Sequence, residues 1–173
     1  PFITSSPLVL YTLFIIIYFI TFDFKYILFV GLFFIFGIGL NVILKNIIRQ
    51  KRPSKEHCGL FTDVYKESSY GMPSQHVQIW TIFATFWTIY LLQNCDSPQM
   101  GCGKTPGYGA IFSIILFWLL TIGVSIQRVQ SKCHTISQDL VGGIVGIISG
   151  ICMYMICHSI KPDQFKSLSK SNT

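Results

Sequence analysis

Charge is what this chain has least of. Only 12% of its 173 residues are Asp, Glu, Lys or Arg, about half the usual share of a soluble domain. With 51% hydrophobic residues and a mean hydropathy of +0.55, a water-soluble fold of this size has no means of hiding its apolar surface. There is no CxxC pair, no carboxylate cluster suited to magnesium and no N-x-S/T sequon, so the pattern calls for no metal and no cofactor. No basic stripe is interleaved with stacking aromatics, so the net charge of +6 is not read as a nucleic-acid footprint. Phosphate in a lipid headgroup is the expected partner. No repeat stands out.

What is abundant is apolar length. Runs of about 17–25 apolar residues read as spanning helices, and five are expected, over 7–22, 26–44, 77–93, 109–126 and 140–157. None contains a charged residue, which argues against a channel or transporter. The first has no basic leader and no small-residue cleavage site, so it is read as an anchor rather than a signal peptide; the start at Pro1 leaves room for a segment upstream. The third carries Gln78, Thr81, Thr85 and Thr88 and is expected to be shielded from lipid by its neighbours. Gly142, Gly146 and Gly150 recur every four residues in the last run, a smooth face for close helix packing. Cys152 and Cys157 read as apolar filler, and Cys95 and Cys102 as a pair that an oxidising compartment would join. The expectation is an all-α, polytopic transmembrane helix bundle of about five spans with its active site at one membrane face. Residues 1–160 form one integral membrane domain and 161–173 a disordered polar tail.

Helix alternation then sorts the polar segments. The second run exits where 45–76 begins, the third enters at its end, and the fourth returns to 127–139 on the same face. Lys45, Arg52, Ser74, His76, Arg128, His134, Gln138 and Asp139 therefore gather at one surface. Lys45 and Arg52, seven apart, are expected on one face of the end of a helix that Pro53 stops. Ser74 is expected to cap the third helix, aiming its first N–H groups at an anion. Three cations with two imidazoles suit a phosphate group. Arg binds its oxygens in a fork and Lys adds a point charge. One imidazole can attack phosphorus while the other protonates the leaving oxygen. Taken singly, each basic residue is an ordinary helix-end anchor; their joint spacing is what anchoring does not produce. His57 and His158 match nothing and read as ordinary.

The stretches "KNIIRQKRP", "PSQH" and "QRVQSKCHTISQD" resemble the signature of the type 2 phosphatidic acid phosphatase superfamily, KxxxxxxRP, PSGH and SRxxxxxHxxxD. "LKNIIRQKRP", "YGMPSQH" and "HTISQDLVGG" are most similar to the dolichyldiphosphatase branch. That resemblance implies a metal-independent membrane phosphatase acting on an isoprenoid diphosphate. It makes His134 the nucleophile and His76 the general acid. Lys45, Arg52 and Arg128 would hold phosphate, with Ser74 and the Gln75 amide completing the cradle. It implies the endoplasmic reticulum with a lumenal site.

Three positions depart from the pattern. Gln75 replaces Gly, Gln127 replaces Ser, and Gln138 stands where an orienting carboxylate is usual, with Asp139 one residue on. A helix would turn position 138 toward His134 and 139 about 100° away, unless it starts late, so the orienting residue is Gln138 or Asp139. Two alternatives accompany the main reading: a phosphatase of phosphatidate or another lipid phosphate, and a catalytically impaired lipid-binding protein of the same fold. Basic residues number eight on the site face against five opposite, which favours a cytosolic site. Without Lys45, Arg52 and Arg128 the balance is five to five.

Overall fold

The run with the most polar residues forms the centre of the bundle. The computed structural model describes residues 24–53, 70–93 and 106–159, with helical residues 10, 12, 13, 15, 16, 19 and 20. The elements are α1 (Phe24–Phe34), a π-helical turn (Ile35–Gly39), α2 (Leu40–Ile48), α3 (Gln75–Gln93), α4 (Tyr108–Gln130) and α5 (Ile136–Ser159). No strand occurs among the described residues. Among the described residues three helices, not the five expected spans, are long and apolar enough to cross a membrane: Leu28–Ile48, Tyr108–Gln130 and Ile136–Ser159. Helix α3 has 19 residues but lies inside: Gln78, Thr81 and Thr85 are buried. Its neighbours, not lipid, meet its polar groups, so its sequence need not be as apolar as its position in the bundle. Of the first expected run only part is described, and the tail from 160 onward, His57, Cys95 and Cys102 lie outside the described residues.

The glycine stripe explains the closest packing, α3 against α5. A Cβ at Gly142 would stand 2.7 Å from the Ser74 carbonyl oxygen, and one at Gly146 2.8 Å from that of Gln78. At Gly150 it would meet Thr85 Cβ at 2.8 Å. Backbone cannot yield as a side-chain tip can, so these three positions hold the helices near contact distance. Gly143, one residue off the stripe, has nothing within 4 Å. Below, an apolar core of Phe29, Phe33, Ile79, Ile82, Phe86 and Met153 closes the bundle.

A buried polar chain ties α2 to α3. The π-helical turn leaves the Phe36 carbonyl to accept from Gln78 Nε2 at 2.7 Å. Gln78 Oε1 accepts from Asn41 Nδ2 at 2.7 Å, and the same Nδ2 donates to the Pro73 carbonyl at 3.2 Å. Both side chains are fully buried, where an unbonded amide would cost about 1–3 kcal/mol. The turn before α3, with its cis Met72–Pro73 bond, is thereby fixed to the Leu28–Ile48 helix.

Helix α2 ends earlier than its sequence predicts. Arg49 adopts a left-handed conformation (φ 53°, ψ 29°) and its N–H closes on the Lys45 carbonyl. Its Nε donates to Asn46 O at 2.9 Å. The helix therefore stops at Ile48, well before Pro53. Lys45 and Arg52 do not share a helix face, and Arg52 arrives at the site on an irregular turn.

Candidate active site

Three backbone-level contacts bring the motifs together at one end of the bundle. The Gly71 N–H donates to Gln50 O at 2.7 Å, and the Ser74 N–H donates to Gln138 O at 3.1 Å. Gln138 Nε2 donates to the Lys51 carbonyl at 2.9 Å. The turn after α2, the turn before α3 and the start of α5 thus share one small volume. His76 stands in the first turn of α3, half-buried, and Arg128 in the last turn of α4, 1% exposed.

His134 is the centre of this volume. It is 2% exposed, and its Nδ1 lies 3.2 Å from Gln138 Oε1. Burial, then Arg52, Arg128 and Lys45 in that order, push its pKa down to about 3, with the Gln138 bond opposing them. A neutral imidazole close to three cations is the result. Burial also lowers the Arg52 pKa.

The Gln138 amide cannot be turned around. Its oxygen accepts the Thr135 backbone N–H at 3.2 Å, and its nitrogen donates to the Lys51 carbonyl. A backbone N–H can only donate and a carbonyl can only accept, so Oε1 must face the imidazole. His134 Nδ1 therefore carries the hydrogen, and Nε2 keeps its lone pair. Gln138 also caps its own helix: its N–H reaches Thr135 Oγ1 at 3.3 Å. Thr135 and Gln138 form a reciprocal capping box, which starts α5 at Ile136. "TISQ" carries that signal in sequence, and it is what turns 138, not 139, toward the ring.

Asp139 points elsewhere. Its Oδ2 accepts from Ser125 Oγ at 2.9 Å, and its charge interacts with Arg128. Ser74 sits at the N-cap position of α3 and is fully buried. Its carbonyl, not its hydroxyl, takes the Gln78 N–H at 3.0 Å. The hydroxyl lies beside the Asp139 carboxylate without a well-formed hydrogen bond, so the expected side-chain cap is absent. Gln75 and Gln127 are half-buried. His158, at the far end of α5, stacks on Tyr154 with centroids 5.7 Å apart.

Sequence reasoning missed three features here: Gln50, Gly71 as a close-approach position, and Cys133. Cys133 is fully buried and disulfide-bonded. Cys152 and Cys157 are free and half-buried. Among the described residues no three His, Cys, Asp or Glu side chains are grouped to hold a metal ion.

Because burial and the three cations hold His134 down, its ring stays unprotonated until about pH 3, whereas the unfolded chain protonates it near pH 6.5. Between those values the unfolded chain binds more protons, so this group costs no stability above pH 6.5 and progressively more below it. Arg52→Met removes the largest charge effect and leaves burial. The His134 pKa is expected to rise by about 1 unit in NMR titration of the ring; an unchanged value would remove Arg52 from its surroundings.

The fold and this cluster define a class first: an integral membrane, all-helical protein with an imidazole–cation site at one end of its bundle. Residues 24–161 match the model of the PAP2 superfamily, and the chain belongs to that superfamily. It is 31% identical to Dolichyldiphosphatase 1 of Dictyostelium discoideum over 133 residues, 77% of this chain and 52% of that protein. It is 27% identical to lipid phosphate phosphatase gamma of Arabidopsis thaliana, over 76% of this chain and 54% of that one. Identity to human Dolichyldiphosphatase 1 is 27%, over 76% and 52%. The chain spans about half the length of these relatives. No solved structure matches it.

Proposed function

We propose that this chain is a membrane phosphatase that removes phosphate from an isoprenoid lipid diphosphate without a metal. The observation that carries the reading is the buried, neutral His134, anchored at Nδ1 and surrounded by Lys45, Arg52 and Arg128. His134 Nε2 attacks the terminal phosphorus, and the bond from phosphorus to the bridging oxygen breaks. That oxygen takes a proton from His76 and leaves as the lipid monophosphate. His76 then takes a proton from water as the water oxygen attacks the phosphohistidine. The P–N bond breaks, inorganic phosphate departs, and both rings return to their starting states. The cations, with Ser74 and the Gln75 amide, stabilise the equatorial oxygens.

An apolar groove near the site is consistent with a lipid substrate. It measures about 540 Å³, runs between α3, α4 and α5 and includes Val77, Trp118, Thr121, Ser125, Asp139 and Ile147. Val77 directly follows His76, and Asp139 directly follows Gln138. The groove lies on the adjoining face of the same helices and is apolar enough to take part of a hydrocarbon chain. The relatives named for lipid phosphates favour a second reading, a monophosphate lipid in the same site.

We infer further that the site faces the lumen of the endoplasmic reticulum. The disulfide at Cys133, one residue from His134, supports this, because disulfides persist in oxidising compartments.

The test is phosphate release in detergent with EDTA present, across dolichyl diphosphate, dolichyl phosphate and phosphatidate. The expected result is a kcat/KM for the diphosphate at least about 10-fold above the others, inhibited by vanadate. Preference for phosphatidate would select the second reading. No release from any lipid would leave a lipid-binding protein of the same fold.

A further inference from the structure

From the clasp around Gln138 we infer that Gly71 and the Gln50–Lys51 turn are positioning elements for His134, holding it in the Nδ1–H tautomer. This rests on the reading of His134 as nucleophile. The amide of Gln138 is held on two sides. On one, its Nε2 donates to the Lys51 carbonyl at 2.9 Å and to Gln50 Oε1 at 3.2 Å. On the other lies Gly71, itself tied to Gln50 by its N–H. A Cβ on Gly71 would stand 2.6 Å from both Nε2 and Oε1 of Gln138 and 2.7 Å from its Cδ. These are its three nearest neighbours, and all belong to that one amide.

The consequence is specific. Backbone sterics are not the reason for glycine here, because Gly71 does not occupy the positive-φ region. The nearest atoms a methyl group at 71 meets are the end of a side chain rather than backbone, so the Gln138 amide is what gives way, at the expense of its hydrogen bonds to Lys51 and Thr135. Moving it also lifts Oε1 from His134 Nδ1. The ring is then free to carry its hydrogen on Nε2, the atom that must attack. Glycine at 71 keeps the amide plane against the imidazole; Lys51 and Gln50 keep its nitrogen end pointing away from it. Gln50 is exposed, so water can partly replace it, and its share is smaller than that of the Lys51 carbonyl.

The test is Gly71→Ala, alone and combined with Gln138→Ala, together with Gln50→Leu. In Gly71→Ala, kcat is expected to fall about 10- to 100-fold, as for a misplacement of roughly 1 Å, with KM changed less than about 2-fold. In the Gln138→Ala background the same substitution is expected to add less than about 3-fold, since the group it displaces is gone. Gln50→Leu, which touches no buried packing, is expected to lower kcat about 3-fold. The ¹⁵N spectrum of histidine-labelled protein is expected to show Nε2 unprotonated at His134 in the parent and a mixture of tautomers in Gly71→Ala. Parent-like kcat in Gly71→Ala, full additivity with Gln138→Ala, or an Nε2–H tautomer in the parent would each overturn the inference. The spectrum needs no turnover, so it judges the clasp even if His134→Ala were to prove active and the nucleophile reading fell.

Discussion

The His134→Ala protein is expected to insert in the membrane and to lose turnover by about 10⁵-fold or more, as when a covalent nucleophile is removed. The size follows from the position of the ring. His134 is buried, it is neutral, and its Nδ1 is held by Gln138. The guanidinium groups of Arg52 and Arg128 carry no lone pair with which to replace it. The fold has little to lose. His134 lies in the turn between α4 and α5, outside the glycine stripe and the aromatic core. Detergent-extracted protein with parent-like helicity and wild-type turnover would end the assignment of the nucleophile.

Gln138→Ala is expected to lower kcat by about 10²- to 10³-fold with KM little changed, since the wrong tautomer alone costs about 10⁴-fold where a triad carboxylate is replaced. Asp139→Ala is expected to behave differently. Its carboxylate receives Ser125 Oγ and interacts with Arg128, not His134. Its loss leaves Ser125 without its acceptor and Arg128 without a nearby negative charge, which is expected to cost about 1–2 kcal/mol of stability and to lower kcat less than about 10-fold. The pair of single variants, read by steady-state kinetics and by SDS titration of the folded state, separates the two roles. Equal and negligible effects on kcat would mean that neither residue orients the ring.

The neutral character of Gln138 also has a structural reason. Its Nε2 faces two acceptors, the Lys51 carbonyl and Gln50 Oε1. A carboxylate at 138 would set an anion against both. The usual acidic residue at this position is therefore incompatible with the turn that follows α2 in this chain. The departure from the family pattern and the local hydrogen bonding are one fact.

Several features were legible as residues. The charge-free runs predict five spanning helices, of which three are long and apolar enough to span among the described residues. Gly142, Gly146 and Gly150 predict close helix packing, and Gln78, Thr81 and Thr85 predict a helix shielded from lipid; both are observed. Helix alternation alone puts Lys45, Arg52, His76, Arg128 and His134 at one end, and Lys45, Arg52 and Arg128 are near enough to His134 to shift its pKa. The end of α2 was not legible. Nothing in "IIRQKRP" marks Arg49 for the left-handed conformation, and Pro53 is the louder signal. The capping box in "TISQ" was present and decides between Gln138 and Asp139, but a family pattern that expects a carboxylate draws attention past it.

Sequence by itself determined what is periodic or local: which segments are apolar enough for a membrane, which face of the last helix is smooth, and which polar segments lie toward the same end of the bundle. Those follow from hydropathy, residue size and the parity of crossings, none of which needs a distance. Only the tertiary structure decided how Gln138 is held, because its partners are Gln50, Lys51 and Gly71, far away along the chain. A hydrogen-bond direction set by a distant carbonyl leaves no trace in local pattern.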